Sequence, residues 1–350
     1  MNKKTAIQKQ QALIGVVLVL LLIVTSIEGY SQEVKKVGTS SAAFLKIPVG
    51  ARGASMGGAF VSLADDPSAL YWNPGGLSRN DKYSLLVDHS PWLPGLTYNF
   101  FGVVIPMQSF GTLGISVTAL TTAEMDVTTP ANPMGTGEKF DASSMAVGFS
   151  YGRSLTDRFS IGGTFKYINE RIFNSKATGL AFDIGTIYDT PLSGLRLGVS
   201  VSNFGSKMHI DGEDLNVRVD IAPDQLGNNQ SVVGRLKTER FDLPLIMRLG
   251  LSYDAWRTEN LRLTLAADGI NPSDNAQSLN VGAEVSFLNE MFILRSGYNE
   301  LFLDDREKGL TFGVGVKSNI ANGVRFGAGY AYQNFSHLNN VNHFTLTLSF

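Results

Sequence analysis

From residue 83 to residue 350 the chain consists of runs in which large apolar residues alternate with polar or small ones. In one of these runs, Leu279 and Val281 alternate with Asn280 and Gly282. Successive side chains of a β-strand point to opposite faces, so each run has one apolar face and one polar or small face. Turn residues separate the runs, and the pattern therefore predicts strands that follow one another along the chain.

The alternating runs between turn signals number fourteen. They cover residues 83–89, 97–105, 111–120, 141–151, 158–168, 178–188, 194–203, 244–254, 260–269, 277–287, 291–298, 309–317, 323–332 and 341–350. Connections after the even-numbered runs are short, whereas those after the odd-numbered runs are mostly longer and include 121–140 and 204–243. Tilted strands of about ten residues, with short turns at one end and long loops at the other, are typical of outer-membrane barrels.

The pattern predicts an all-β fold, a transmembrane antiparallel β-barrel of about 14 strands, with twelve or sixteen strands as the alternatives. Both chain termini are then expected on the periplasmic side, with the short turns. A soluble β-sandwich or propeller would show the same alternation within each strand. It would not require the alternating connection lengths, the export signal and the C-terminal aromatic residue that occur together in this chain.

The N-terminal 31 residues have the form of an export signal. Lys3, Lys4 and Lys9 precede an apolar stretch at 12–27, which ends in Gly29-Tyr30-Ser31. A positive region, an apolar region and a small-x-small end are the three parts of a cleaved secretory signal peptide. A signal anchor retained in the inner membrane is the alternative, because the apolar region is slightly long.

We expect the mature chain to begin at Gln32 and to migrate as a heat-modifiable membrane protein. The reason is the cleavable form of the first 31 residues together with the alternating runs. The intact mass of the purified protein checks the cleavage. A chain that retains residues 1–31, or a water-soluble product, would contradict this prediction.

Composition agrees with an exported barrel and excludes some other classes. Charged residues make up only 17% of the 350 residues, which is low for a soluble protein. The 37 glycines suit a crowded lumen, and the 10% aromatic residues suit interfacial girdles. The net charge of -2 gives no reason to expect nucleic acid as a partner. The absence of cysteine excludes a cysteine-linked lipid anchor and any disulfide.

The segment 42–80 does not alternate like the rest of the chain and is rich in Gly, Ala and Pro. Its apolar residues require burial against another part of the molecule. A barrel of fourteen strands is too wide for its own side chains to fill, since about eight strands already reach that limit. The sequence therefore predicts three parts: a signal peptide at 1–31, a lead and lumenal plug at 32–80, and an outer-membrane β-barrel at 81–350.

The stretch from Lys46 to Arg79 resembles the N-terminal signature of the PorV/PorQ family of outer-membrane proteins, which are related to FadL-like barrels. The matching elements are Gly50-Ala51-Arg52, Met56-Gly57-Gly58-Ala59, Ala64-Asp65-Asp66-Pro67 and Trp72-Asn73-Pro74-Gly75-Gly76-Leu77. Residues 91–93 and 280–298 are also similar to that family, and Gly75 replaces its usual alanine. The C-terminal Phe350 resembles the closing aromatic residue of outer-membrane barrels, which the barrel-assembly machinery reads.

The resemblance implies a fourteen-stranded barrel in a Gram-negative outer membrane, surrounded by lipid, with the N-terminal segment as a plug. Better-known PorV-like members serve the type IX secretion system, where the barrel receives exported cargo. The sequence-based expectation for function is therefore a secretion-associated protein that binds secretion components or cargo through its extracellular loops. The alternative is transport of hydrophobic small molecules, as in FadL-like relatives.

Several charged residues fall on the small-residue face of their strands, where they would point into the lumen. They are Lys166, Asp183, Arg248, Arg262, Glu284, Arg295 and Arg325. A charge that faces lipid at the bilayer centre costs about 2–4 kcal/mol, which makes the lumen their expected place. The favoured interpretation is an ion-pair network that holds the plug, and the other is a polar conduction path.

The pairing of the strands makes this network specific. Arg262 should lie near Glu284, and the next hairpin brings Arg295 close to the same carboxylate. Arg52 of the plug should pair with Asp183 or Glu284. We also expect Trp72-Asn73-Pro74 at the periplasmic end, with the Asn73 side chain bonded to the turn before the first strand.

Other candidate chemistry is weak. The glycines between Gly50 and Gly58 do not have nucleotide-loop spacing. Asp65 and Asp66 precede a proline, where adjacent carboxylates more often cap a turn than bind a cation. His89, His209, His337 and His343 are far apart and lack an obvious Ser or Asp partner. No catalytic residue, metal or cofactor is expected, and the protein is not expected to be an enzyme.

Overall fold

The computed structural model describes residues 38–225, 231–303, 306–320, 323–338 and 340–350. The predicted signal peptide and its cleavage site before Gln32 lie outside the described residues. Helices are short throughout these ranges, and none is long and apolar enough to cross a membrane.

Within the described ranges, fourteen strands form one closed antiparallel sheet. They are β1 (Ser84–Pro91), β2 (Leu96–Pro106), β3 (Thr112–Thr122), β4 (Ala142–Ser154), β5 (Phe159–Ile172), β6 (Ser175–Asp189), β7 (Leu195–Gly205), β8 (Ile246–Arg257), β9 (Leu261–Pro272), β10 (Ser278–Phe287), β11 (Phe292–Leu301), β12 (Lys308–Asn319), β13 (Arg325–Phe335) and β14 (Val341–Ser349). Each strand pairs with its neighbours in sequence, and β14 pairs with β1 from Ser84↔Ser349 to His89↔Phe344. The prediction of a fourteen-stranded barrel is confirmed, and the alternatives of twelve and sixteen strands are wrong.

The two ends of the barrel differ as the sequence predicts. At the turn end, which also holds residues 83 and 350, the connections after even-numbered strands have three to five residues. At the loop end are the two long connections, 123–141 and 206–245, each with its own short hairpin. These hairpins pair Met125–Asp126 with Lys139–Phe140 and Asn216–Val219 with Val232–Arg235.

The connection between β5 and β6 differs from the sequence-based boundaries. The sequence placed it at 169–177, whereas β5 and β6 remain paired to Ile172↔Ser175 and leave a two-residue turn. Polar residues such as Asn169 and Arg171 interrupt the apolar alternation there. The strands therefore extend beyond the apolar band, where the alternation no longer marks them.

The outer surface of the barrel is a continuous apolar band. Phe149, Leu249 and Leu294, on three separate strands, each expose more than half of their surface. Soluble proteins rarely expose such extended apolar surface, whereas lipid hydrocarbon covers it in a membrane barrel. The barrel is transmembrane, and the alternatives of a soluble sandwich or propeller are wrong.

The segment that precedes β1 fills the lumen as a plug. It contains two short helices, α1 (Ala51–Ser55) and α2 (Ala69–Trp72), and 3₁₀ turns at Ala43–Lys46 and Pro74–Arg79. Met56, Phe60 and Leu77 of the plug are fully buried. They belong to a core that also includes Tyr98 and Phe100 of β2, so the apolar core lies between plug and wall.

The plug runs from the loop end to the turn end. The backbone N–H of Ser41 donates to the Asp242 carbonyl (2.9 Å), just before β8 begins. The first described residues therefore lie at the end opposite to Phe350. The expectation that both termini lie with the short turns holds for Phe350 but not for these residues of the lead.

Glycines on the inner face of the barrel wall leave room for the plug backbone. A Cβ atom built on Gly297 would lie 2.2 Å from the Gly57 nitrogen, and one on Gly282 would lie 2.3 Å from the Met56 carbonyl oxygen. At Gly162 the Cβ would lie 2.2 Å from the Pro74 oxygen. Because any side chain at these positions would overlap the plug, they are part of its seat.

We expect Gly162→Val to displace the plug, because the added side chain overlaps the Pro74 carbonyl. Ion conductance in planar bilayers should rise severalfold. The adjacent Gly163 faces outward and gives a matched control, since its Cβ would meet only the Asp183 carbonyl at an ordinary 3.4 Å. Equal conductance of Gly162→Val and Gly163→Val would show that the wall glycines do not seat the plug.

Candidate functional site

Arg52 of α1 is the main ionic contact between plug and wall near the turn end. Its Nη1 binds Asp65 Oδ1 at 2.7 Å and Asp66 Oδ2 at 2.9 Å, both within the plug. Its Nε binds Glu284 Oε2 of β10 at 3.1 Å. The guanidinium carbon also lies 5.1 Å from the centre of the Phe60 ring. Of the two wall carboxylates named from the sequence, Arg52 therefore meets Glu284 and not Asp183.

Glu284 forms ion pairs with three guanidinium groups, although only 2% of its side chain is exposed. Besides Arg52, it accepts from Arg295 Nε at 2.7 Å and from Arg262 Nη2 at 3.1 Å. Strand register explains this, since Glu284 lies opposite Arg295 and diagonal to Arg262. Arg262 also forms an ion pair with Glu290 at 2.8 Å, and Glu290 forms one with Lys317 at 3.6 Å.

Ion pairs also continue in the other direction. Asp65 binds Arg196 of β7 at 3.3 Å, Arg196 binds Asp189 of β6 at 3.0 Å, and Asp189 binds Arg79 at 2.7 Å. We call this connected set the ionic lock; its members are Arg52, Asp65, Asp66, Arg79, Asp189, Arg196, Arg262, Glu284, Glu290, Arg295 and Lys317. The lock ties the plug to wall strands on both sides of the lumen.

The plug residues Arg52 and Asp65 stabilise each other's charged forms. Burial alone would raise the pKa of Asp65, but Arg52 and Arg196 outweigh burial and lower this pKa well below its usual range. A depressed folded-state pKa stabilises the fold above the ordinary carboxyl value, and this contribution is lost as pH falls towards the folded-state pKa. The Asp65 carboxylate therefore keeps its ion pairs at neutral and mildly acidic pH.

Asn73 joins three parts of the structure. Its Oδ1 accepts from the Gly75 N–H (3.0 Å) in the turn that leads to β1, as the sequence suggested. Its amide group, however, donates to the carbonyls of Val61 in the plug (2.9 Å) and Thr186 in β6 (3.0 Å). The partners within the plug and on β6 could not be read from the sequence.

Trp72 departs from the expectation that it lies at the turn end with Asn73 and Pro74. Its Nε1 donates to the Val49 carbonyl (2.8 Å), and its ring faces Arg248 near the loop-end start of β8. The backbone changes direction after α2, since Asn73 is extended. Trp72 therefore faces the loop end of the barrel, whereas Pro74 faces the turn end.

Four of the expected lumenal charges lie away from the lock: Lys166, Asp183, Arg325 and Arg248, which lines a cavity described below. Lys166 pairs with Asp183 at 2.5 Å and donates to Asn203 Oδ1 at 2.9 Å. Asp183 and Asn203 lie at a bulge between β6 and β7, where Asn203 has a φ of 65°, and Lys166 reaches them from β5. Arg325 is exposed at the turn end, 3.5 Å from Asn319 Oδ1. Arg325 has inward parity but begins β13 at the rim, so it is not part of the buried network.

Buried wall residues that the sequence analysis missed also hold the plug. Asp268 Oδ2 accepts from the N–H groups of Phe60 (2.8 Å) and Val61 (2.9 Å), and Asp88 Oδ2 accepts from the Gly50 N–H (3.1 Å). Both carboxylates are fully buried. Their inward strand parity was the available signal.

His343 has partners that the sequence analysis did not identify. Its Nδ1 lies 2.7 Å from Ser90 Oγ and 3.6 Å from Asp88 Oδ2. A catalytic triad uses the two imidazole nitrogens separately, whereas here hydroxyl and carboxylate approach the same nitrogen. All three residues are fully buried, and the cluster is an internal contact of β1 and β14.

A cavity of about 150 Å³ lies between plug and wall at the loop end. Tyr71 and Trp72 of the plug line this cavity, together with Ile246, Arg248 and Ile270 of the barrel wall. Burial raises the pKa of Tyr71 to about 12, so its hydroxyl stays protonated and donates to the Leu45 carbonyl (3.2 Å).

A narrower cleft of about 60 Å³ lies on the turn-end side of the plug. It separates α1 from β11–β14 and is lined by Gly315, Gly327 and Gly329, with Arg52 and Lys317 of the ionic lock. The loop-end cavity and this cleft therefore lie at opposite ends of the plug. Any molecule that crosses the lumen must pass the plug between them.

No protein-family model matches the chain, and no curated protein matches it. Solved structures do match: the toluene transporter TodX of Pseudomonas putida has a TM-score of 0.53 at 12% identity, covering 86% of this chain and 96% of that one. The monoaromatic hydrocarbon channel CymD has a TM-score of 0.51 at 11% identity, with coverage of 86% and 96%. A FadL homologue of Pseudomonas aeruginosa gives 0.48 at 13% identity, with coverage of 87% and 98%.

At these identities the likeness concerns the fold alone, which is that of the TodX and CymD barrels. None of the comparisons confirms the resemblance to the PorV/PorQ family.

Proposed function

We propose that the protein is an outer-membrane channel of the FadL-like type that passes small hydrophobic molecules when its plug moves. The observation that carries the proposal is a plug held between a loop-end cavity and a turn-end cleft by polar contacts. These ion pairs and single hydrogen bonds can be exchanged with water one at a time, whereas movement of the plug also exposes part of the apolar core that it shares with the wall. The neighbours TodX and CymD, described as a toluene transporter and a monoaromatic hydrocarbon channel, support the same function.

The wall favours movement of the plug over an opening in the barrel side. Each strand pairs with both neighbours within the described ranges, including the closing pair of β1 and β14. In this proposal the loop end faces the exterior, the short turns face the periplasm, and Phe350 is the signal for barrel assembly. Phe350 stacks on Tyr83 at 6.0 Å, which places the last residue against the start of β1.

A reversible cross-link tests this function. A Cβ on Gly329 would lie 3.2 Å from the Ala51 Cβ, close to disulfide range, and the chain has no cysteine of its own. We expect the oxidised Ala51→Cys/Gly329→Cys protein in proteoliposomes to block toluene uptake, and reduction to restore it. The two single-cysteine variants are the controls, since they carry the same substitutions without a cross-link.

Two outcomes would contradict the channel proposal. Uptake by the oxidised protein at the rate of the reduced protein would mean that α1 does not move. No uptake by the reduced protein or the wild type would mean that the barrel is not a channel for this class of molecule.

Binding of protein partners through the loops is the second candidate function. The loop-end connections carry strongly exposed apolar side chains, among them Met134 (96%), Ile221 (68%) and Val233 (67%). A contiguous patch of such residues would be a feature of a protein-binding surface. Pull-down from solubilised outer membranes, compared with a variant that lacks residues 216–235, would test it. Partners retained by the shortened variant would exclude this hairpin as the binding element.

A further inference from the structure

Arg248 is a buried cation without a carboxylate partner. It projects from β8 into the loop-end cavity, and only 6% of the residue is exposed. Its Nη1 donates to Ser202 Oγ at 3.3 Å, and its Nε has no hydrogen-bond partner. No Asp or Glu among the described residues forms an ion pair with it within 4.0 Å.

The other charges of this cavity are paired. Lys46 binds Asp274 at 2.6 Å, and Lys308 binds Glu300 at 3.6 Å. Both lysines are partly exposed at the rim, whereas Arg248 lies deeper. The lining therefore carries one positive charge that no carboxylate contacts directly, and a buried charge without a partner is strongly unfavourable.

Asp268 on the neighbouring strand offers the competing explanation. Its Oδ2 is occupied by the N–H groups of Phe60 and Val61, while its Oδ1 has no partner. It lies over Gly250, the next inward position of β8 after Arg248. A water-bridged pairing of Arg248 with Asp268 would compensate the charge without a ligand, and benzoate binding by Asp268→Asn tests for this pairing.

Size and shape define the complementary ligand. A cavity of about 150 Å³ has the volume that holds one benzene molecule in a protein interior. The Arg248 guanidinium carbon lies 5.7 Å from the Trp72 ring centre, so cation and aromatic surface adjoin each other. Ile246 and Ile270 add apolar lining. A long acyl chain does not fit this volume, whereas a single aromatic ring does. Arg248 in the lining favours a ring that bears an acidic group.

We propose that the loop-end cavity binds a small aromatic carboxylate, with its carboxylate on Arg248 and its ring against Trp72. The proposal rests on the channel function proposed above and adds an anionic class of ligand to the neutral hydrophobic molecules named there. Guanidinium groups bind carboxylates through charge-assisted hydrogen bonds in a fixed geometry, which supplies the discrimination between an acid and its neutral ester.

Calorimetric titration of the full mature protein in detergent tests this, with benzoate and methyl benzoate as probes. We expect benzoate to bind at least about tenfold more tightly than methyl benzoate. Arg248→Met keeps an unbranched side chain about as long as the arginine stem and removes the guanidinium group. It should weaken benzoate binding by at least about tenfold without changing methyl benzoate binding. Arg248→Lys should retain part of the preference. Heat-modifiable migration shows that each variant is folded.

Equal affinity of the wild type for acid and ester would overturn the proposal without any variant. Undiminished benzoate binding by Arg248→Met would overturn it as well. If the Asp268→Asn variant binds benzoate and the wild type does not, Asp268 compensates the charge of Arg248 in the native protein, and the proposal is wrong. Toluene uptake by Arg248→Met proteoliposomes separates the two proposals, because the channel function stands if uptake persists while acid binding proves absent.

Discussion

Replacement of Glu284 by alanine is expected to destabilise the folded protein by about 3–5 kcal/mol, the range for removal of one partner of a buried ion pair. Arg295 carries most of this cost, because its side chain is 4% exposed and Glu284 is its ion-pair partner at 2.7 Å. Arg52 keeps Asp65 and Asp66, and Arg262 keeps Glu290. Urea unfolding in lipid vesicles, followed by tryptophan fluorescence, measures the change.

Glu124 provides the matched control. It is a carboxylate in a loop with 70% of its side chain exposed, and it lies 3.6 Å from Lys139. Exposed pairs contribute about 0–1 kcal/mol, so Glu124→Ala should leave the unfolding midpoint nearly unchanged. Equal midpoints for the two variants would refute the central role of Glu284.

A double substitution identifies the cause of the loss. If the cost of Glu284→Ala is the unpaired Arg295, then Glu284→Ala/Arg295→Ala should be more stable than the sum of the two single changes predicts. Strict additivity would mean that the two residues act independently. Arg52 would then be the residue that depends on Glu284.

The barrel was predictable because strand parity is a local property. Alternation alone identifies which face of β10 is inward, and antiparallel register then places Glu284 beside Arg295. The plug has no such repeat, so its contacts depend on how an irregular backbone crosses the lumen. For this reason the sequence predicted Glu284 as one of two candidate partners of Arg52. It did not predict that Trp72 faces the loop end, or that Asn73 bonds to Thr186.

The loop-end cavity illustrates the same limit. Arg248 was assigned to the lumen by parity, but its lack of a carboxylate depends on which wall residues the plug already engages. Asp268 is occupied by plug N–H groups, and Asp183 by Lys166 on the far side of β7. The position of Arg325 was also mispredicted. Strand parity gives the direction of a side chain, but not its depth along the barrel axis.

Deletion of residues 42–80 is expected to have the largest effect on conductance. The outward apolar band and the closed strand pairing do not involve the plug, so the shortened chain should still insert as a heat-modifiable barrel. The deletion exposes Leu86, Tyr98 and Phe100 to a water-filled lumen, and the barrel should be less stable than the wild type.

Planar-bilayer recording measures the expected result, a many-fold rise in ion conductance, because fourteen strands enclose more space than their own side chains fill. Deletion of 216–235 is the control, since it shortens a loop and leaves the plug in place. If the plug-less chain fails to fold, Gly162→Val opens the same path in a full-length chain and keeps the prediction testable. Conductance equal to that of the intact protein in both variants would mean that the plug does not close the lumen, and a channel gated by its movement would then be excluded.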